Sequence, residues 1–130
     1  EEEGGWLVHR GLPVSSTCEH HLLPFYGHAH VAWGAGAPRP IGRAQAEALV
    51  ESFARRLQVQ ERLGQQVCAA VAEATGAEDV VVAVEAGHLC MLARGVQKTA
   101  SRTSSVAVRG RLESDVAGRA VALAMLARPR

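Results

Sequence analysis

Phe25-Tyr26-Gly27-His28-Ala29-His30-Val31-Ala32-Trp33 alternates, with Phe25, Gly27, Ala29, Val31 and Trp33 on one face and Tyr26, His28 and His30 on the other. A period of two sustained over such a run specifies a β-strand with one buried face. Gly34 to Pro40 is a loop by composition. Arg43 to Gln58 then places Leu49, Val50, Phe53 and Leu57 in one stripe at helical spacing. A second helix follows, with Leu63, Val67, Ala70, Val71 and Ala74 in register and Gly76 as a natural stop. Val80 to Val84 is β-branched apart from Ala83 and predicts a buried strand; Arg102 to Arg111 alternates weakly and predicts another. Ala117 to Ala127 is expected to form a last helix. Residues 1–13 show no clear period and are punctuated by Gly4-Gly5 and Pro13, which leaves room for one more strand before Cys18. The order ββααββ describes an α+β domain in which two helices pack on one face of an antiparallel sheet. No repeat, low-complexity tract or linker divides the chain. Residues 1–130 therefore read as one domain, with 1–13 as an N-terminal segment and 112–130 as a helical C-terminal segment.

Composition bounds what such a domain does. Apolar residues make up 48% of the chain but aromatics only 4%, so the core is built from Ala, Val and Leu. The net charge of +1 provides no global field for nucleic acid or an anionic membrane. No stretch approaches the roughly 18 consecutive apolar residues of a spanning helix, and no leader peptide is visible. Three cysteines cannot form a full disulfide framework, so reduced thiols and a cytoplasmic setting are expected.

The chemistry concentrates in three short fragments: Cys18-Glu19-His20-His21, Gln60-Glu61 and His88-Leu89-Cys90. Two thiolates and an imidazole are the usual ligands of a catalytic zinc, with the fourth position left to water. Cys18 and His21 are close enough for one tight turn to present both, while Cys90 must arrive from elsewhere in the fold. The neighbouring His20 and His88 are placed to move protons, although either could instead complete a four-ligand structural zinc, and counting alone does not choose between these. Cys68, inside the second helix, reads as a small buried hydrophobe. Glu61 stands at a helix start, where the dipole favours a carboxylate; it could equally accept the two parallel hydrogen bonds offered by N1–H and the exocyclic amine of guanine. Arg94 and Lys98 follow Cys90 closely and suit an anionic group near the metal. His28 and His30 read as a half-exposed strand face or a subunit contact, and His9 receives no role.

These residues resemble those of GTP cyclohydrolase I, the zinc enzyme that opens the guanine ring of GTP in pterin and folate synthesis. The matching segments are Cys18-Glu19-His20-His21-Leu22-Leu23-Pro24-Phe25, Phe53-Ala54-Arg55-Arg56-Leu57-Gln58-Val59-Gln60-Glu61-Arg62-Leu63, and His88-Leu89-Cys90-Met91 through Arg94-Gly95-Val96. The resemblance runs from about Val8 to about Gly110 and implies the tunnelling fold, in which the sheets of several subunits join into a barrel, usually a homodecamer with active sites at subunit interfaces. It further implies Cys18, His21 and Cys90 as zinc ligands, His20 and His88 as catalytic histidines, Gln60 and Glu61 as the guanine-binding pair and Arg94 as a phosphate ligand, with Lys98 nearby. By the same resemblance, zinc-activated water attacks C8, His20 protonates the ring nitrogen as its bond breaks, formate leaves and a dihydropterin, 7,8-dihydroneopterin triphosphate, is closed. The related nitrile reductases share the fold but use a cysteine nucleophile without this zinc trio.

One segment departs from the family pattern. After Ile-Gly the family carries Ser-Lys and, one turn on, Arg, which hold ribose and triphosphate; here Ile41-Gly42 is followed by Arg43, with Ala44, Gln45 and Ala48 at those positions. Arg43 points roughly 100° away around the helix from its neighbour, an imperfect substitute. The helical N-terminal region of many members is also expected to be missing. A less phosphorylated guanine compound, with reaction stopping before the pterin, is therefore the second reading. A non-catalytic purine- or pterin-binding subunit is a third, disfavoured by the presence of both His20 and His88.

Overall fold

The computed structural model describes residues 2–19, 22–88 and 103–126. Its sheet is built from β1 (Glu2–Glu3), β2 (Trp6–Cys18), β3 (Pro24–Gly34), β4 (Leu57–Gln58), β5 (Val80–His88) and β6 (Thr103–Arg109). The main path runs β1-β2-β3-β5-β6, antiparallel throughout, while β4 adds to β2 in parallel. Between β3 and β5 the chain forms α1 (Arg43–Ala54) and α2 (Gln60–Thr75); a 3-10 turn (Gly110–Glu113) and α3 (Val116–Leu126) follow β6. The expected ββααββ order is present.

The inward face of β3 is the predicted one: Phe25, Ala29, Val31 and Trp33 are buried with Val82, Val84 and the inner faces of α1 and α2. Gly27 lies on the same face, and a Cβ there would collide with the backbone of Glu85 and Ala86, so the strands approach too closely for a side chain. Gly76, in the left-handed region at φ 75°, ends α2 as expected.

Two expectations change, and a third feature that the sequence left open is fixed. Residues 1–13 hide most of a long strand, because an irregularity between His9 and Leu12, with Gly11 at φ 67°, inverts the alternation. Leu7 faces the α1/α2 side and Val8 the opposite side, whereas beyond the bulge Leu12 and Val14 face α1/α2. No single period of two fits both halves. Second, α1 stops at Ala54 rather than Gln58. Leu57, placed in the apolar stripe from the sequence, is 53% exposed, and Leu57–Gln58 pairs with Thr17–Cys18 instead. The buried Gln58 carboxamide secures this turn, donating to the Phe53 carbonyl at 2.9 Å and to Gln66 Oε1 at 2.7 Å. Third, the last helix packs on the other side of the sheet from α1 and α2. Ala122 and Leu126 join Leu112, Val8, Ala32 and Val81 in a second apolar cluster.

The connection from β5 to the C-terminal segment is tied by Asp79, whose carboxylate accepts from the Arg111 backbone N–H at 2.8 Å and from its guanidinium at 2.7 and 3.1 Å. The Arg111 hydrogen bond holds the Asp79 carboxyl below its ordinary value. A lowered folded-state pKa stabilises the fold above the unfolded value, about 4, and the contribution is lost as pH falls through the folded pKa. Asp79→Asn is expected to lower the melting temperature at pH 7, with the difference from the parent shrinking below pH 4 in calorimetry.

Candidate functional site

The strand register brings four of the candidate residues, Cys18, Gln60, Glu61 and the backbone of His88, to one end of the sheet. Cys18 ends β2, and Thr17 pairs with Pro24 at the start of β3. Phe25 in turn pairs with His88, which ends β5. The parallel bridge of Gln58 to Cys18 brings the start of α2, and with it Gln60 and Glu61, to the same end. His20, His21, Cys90, Arg94 and Lys98 lie outside the described residues, and His88 is described by its backbone.

The loop after Cys18 is tightly closed. Cys18 N–H donates to the Leu23 carbonyl at 2.9 Å, and Leu22 N–H donates to the Cys18 carbonyl at 2.8 Å. Leu22 sits at φ 56°, a left-handed conformation that a branched residue adopts only under constraint. Strain of this kind, in a loop whose flanking cysteine is free and buried, belongs with sites where geometry matters more than local stability. A loop that folds back on Cys18 within five residues suits a Cys-x-x-His pair converging on one ion, so the donor chemistry and the loop closure fit a zinc. No group of three or more His, Cys, Asp or Glu side chains gathers among the described residues; two of the three expected ligands lie outside them.

Glu61 is exposed in the first turn of α2 and makes no hydrogen bond or ion pair among the described residues. Gln60 differs: it is 3% exposed, and its side-chain amide donates to the Val84 carbonyl at 2.9 Å, pinning the start of α2 to β5. Two residues the sequence reading passed over also belong here. Arg62 reaches across to Glu19 and contacts both carboxylate oxygens, one of them at 3.4 Å. The Glu19 backbone N–H donates to the Gln58 carbonyl at 3.0 Å. The adjacency of Glu19 to Cys18 and of Arg62 to Glu61 was the available signal, but only the β2–β4 bridge makes them neighbours.

The head of α1 lies elsewhere. Arg43 donates to the carbonyls of Arg10 and Gly11 at 2.8 and 3.0 Å and pairs with Glu47 at 3.3 Å. Its guanidinium therefore braces the β2 bulge. Gln45 Oε1 accepts the Gly42 N–H at 3.1 Å as a helix cap, and Ala44, Gln45 and Ala48 are exposed. Strand residues rise about 3.3 Å each, so the stretch from Gly11 to Cys18 puts roughly 20 Å between the α1 head and the Cys18 end within one chain. The positions that the family resemblance links to one substrate thus occupy two regions of the chain.

His9, His30 and the remaining described thiol have structural partners. His30 Nδ1 accepts the Gly11 N–H at 2.9 Å and its Nε2 lies 3.5 Å from Glu85, so His30 supports the bulge. His9, given no role from sequence, packs against Trp33 and reaches the Ile41 carbonyl at 3.0 Å. Cys68 is buried against the Val80 carbonyl, and burial pushes its thiol up to about 11, as befits the inert residue expected.

Comparison with known proteins identifies the family and the fold. Residues 1–127 match the model of the GTP cyclohydrolase I family. A GTP cyclohydrolase 1 of Carboxydothermus hydrogenoformans is 44% identical over 97% of this chain and 66% of its own length. One of Mycobacterium leprae is 42% identical over 98% of this chain and 63% of its own. The chain thus spans just under two thirds of the length of these curated relatives. Among solved structures, the archaeosine synthase QueF-Like in its apo form superposes with a TM-score of 0.58 over 84% of this chain and 97% of its own, at 16% identity. That likeness establishes the shared tunnelling fold. With the ββααββ sheet, the Cys18 loop and the Gln60–Glu61 turn set as described, the chain belongs to the GTP cyclohydrolase I family.

Proposed function

We propose that this chain forms the catalytic domain of a zinc-dependent GTP cyclohydrolase I, a hydrolase that opens the imidazole ring of GTP at C8, releases formate and yields 7,8-dihydroneopterin triphosphate. The observation that carries the reading is the meeting of the Cys18 loop and the Gln60–Glu61 turn at one sheet end, held by the β2–β4 bridge. Cys18, His21 and Cys90 would hold the zinc, which when bound lowers the pKa of water to about 7. Glu61, exposed at the head of α2, accepts the N1–H and amino group of guanine. Gln60, tied to Val84, acts by seating Glu61. His20 donates a proton to the ring nitrogen that departs from C8, His88 serves as the second proton-moving group, and Arg94 and Lys98 face the anionic end of the substrate. Incubating the zinc-loaded protein with guanine, guanosine, GMP and GTP while following formate tests this directly. Absence of formate from all four defeats it.

Glu61→Ala leaves the two guanine donors without an acceptor. It is expected to weaken guanine-ligand binding by about 2 kcal/mol or more, and Glu61→Gln to disturb the match in the same direction. Isothermal titration with guanine and adenine ligands is the check; equal affinity of the parent for both would remove the assignment.

A second reading is favoured by the head of α1. Its exposed positions carry Ala44, Gln45 and Ala48, and its one cation, Arg43, is engaged on the bulge. A less phosphorylated guanine compound loses little from this, and the reaction then ends at a ring-opened product.

The same distance supports assembly. A site using both the Cys18 end and the α1 head draws them from different copies. Among the described residues β6 pairs only with β5, an open edge suited to joining another sheet. We assign a homo-oligomer, most simply a decamer, with sites at subunit interfaces. Light scattering at micromolar concentration is expected to show a large ring; a stable monomer contradicts it. No described helix is long and apolar enough to cross a membrane; the free thiols of Cys18 and Cys68 support a cytoplasmic setting.

A further inference from the structure

The Glu19–Arg62 ion pair joins the two halves of the proposed site. Glu19 lies between Cys18 and His20, inside the segment that carries two of the proposed zinc ligands. Arg62 follows Glu61 in the first turn of α2. The guanidinium contacts both carboxylate oxygens, Nη2 on Oε1 and Nη1 on Oε2 at 3.4 Å. The platform beneath Arg62 is itself fixed: Gln58 pairs with Cys18, accepts the Glu19 N–H through its carbonyl, and buries a carboxamide held by Phe53 and Gln66. The pair is 43% exposed on the Arg62 side and 32% on the Glu19 side. Such a pair adds little to global stability, so its effect is local to the loop it restrains.

We infer that Arg62 is a positioning residue: by gripping Glu19 from α2 it fixes the backbone at Cys18, the one described member of the proposed ligand set, relative to Glu61. The inference rests on the zinc reading above. Its sign separates it from a simple charge effect. A cation near a divalent metal repels it, so removing Arg62 would tighten zinc binding if only Coulomb repulsion mattered. Loss of positioning weakens zinc binding instead.

The test is zinc affinity, measured by competition with a chromophoric chelator at fixed pH and salt, alongside melting of the zinc-free protein. The set comprises the parent, Arg62→Gln, Arg62→Lys, Glu19→Gln, the Glu19→Gln/Arg62→Gln double variant and Cys18→Ala. Arg62→Gln is expected to weaken zinc about tenfold or more, within the range seen for groups that orient metal ligands, with little change in melting temperature. Arg62→Lys keeps the charge but loses the two-pronged contact, so it weakens zinc by a smaller factor and serves if Arg62→Gln does not fold. The double variant is expected to be no weaker than Glu19→Gln alone, because both changes break one contact. Unchanged or tighter zinc in Arg62→Gln, or additive losses in the double variant, overturns the inference while Cys18→Ala still loses zinc. Full zinc retained by Cys18→Ala overturns the metal site, and this inference with it.

Discussion

Cys18→Ala and Cys90→Ala are each expected to take the protein from about one zinc per chain to almost none, as measured by metal analysis after exchange into metal-free buffer. The size of the effect follows from the donor set. With three protein ligands, removing a thiolate leaves an imidazole and one thiolate, too few to compete with water for the ion. Cys18 is also the proposed ligand whose surroundings are best defined. Its backbone is fixed on one side by the Leu23 carbonyl and the Leu22 N–H, and on the other by the bridge to Gln58. An alanine at this small buried position makes few new contacts, so zinc content is expected to fall with a modest change in the zinc-free melting temperature. Cys68→Ala is the matched control: its thiol is raised to about 11 and packed against Val80, and its loss leaves the zinc content alone. Full occupancy in Cys18→Ala would move the metal, and with it the reaction, to another part of the molecule.

The second large effect is a gain. Installing Ala44→Ser, Gln45→Lys and Ala48→Arg together is expected to raise GTP affinity by about 3–6 kcal/mol, roughly 10²–10⁴-fold, through two or more charge-assisted contacts. Guanosine is expected to gain little. All three positions are exposed on α1, so the new side chains displace no core residue. The change at Gln45 removes the acceptor for the Gly42 N–H, a capping loss of about 1 kcal/mol that falls on stability rather than on binding. Arg43 is expected to contribute nothing to the gain, because its guanidinium is held by the carbonyls of Arg10 and Gly11. Steady-state kinetics with product identification by mass spectrometry provide the measurement. A parent that already prefers GTP as strongly as the triple variant, and that forms dihydroneopterin triphosphate, would show that the triphosphate is held elsewhere, by Arg94, Lys98 or a neighbouring copy.

What the sequence by itself determined is what a short local pattern can encode. The alternation of Phe25 to Trp33 set the central strand and its inward face, and the helical stripes set α1 and α2 with Gly76 as the stop. The unbroken Val80–Val84 run set β5 because a strand buried on both faces needs no polar residue. Cys18, Glu61 and His88 could be named as candidates for the same reason: the chemistry proposed for them is carried by residue type and close spacing. The tertiary structure decided what depends on contacts between distant segments. The bulge at His9–Leu12 inverts the strand's parity, so β2 could not be read as one period. Leu57 leaves the helical stripe because pairing with Thr17 and a buried Gln58 amide outweigh one more helical turn. The Glu19–Arg62 clamp exists only because that pairing sets α2 beside the Cys18 loop. The separation of the α1 head from the Cys18 end follows from register, a property of paired strands that no single segment contains.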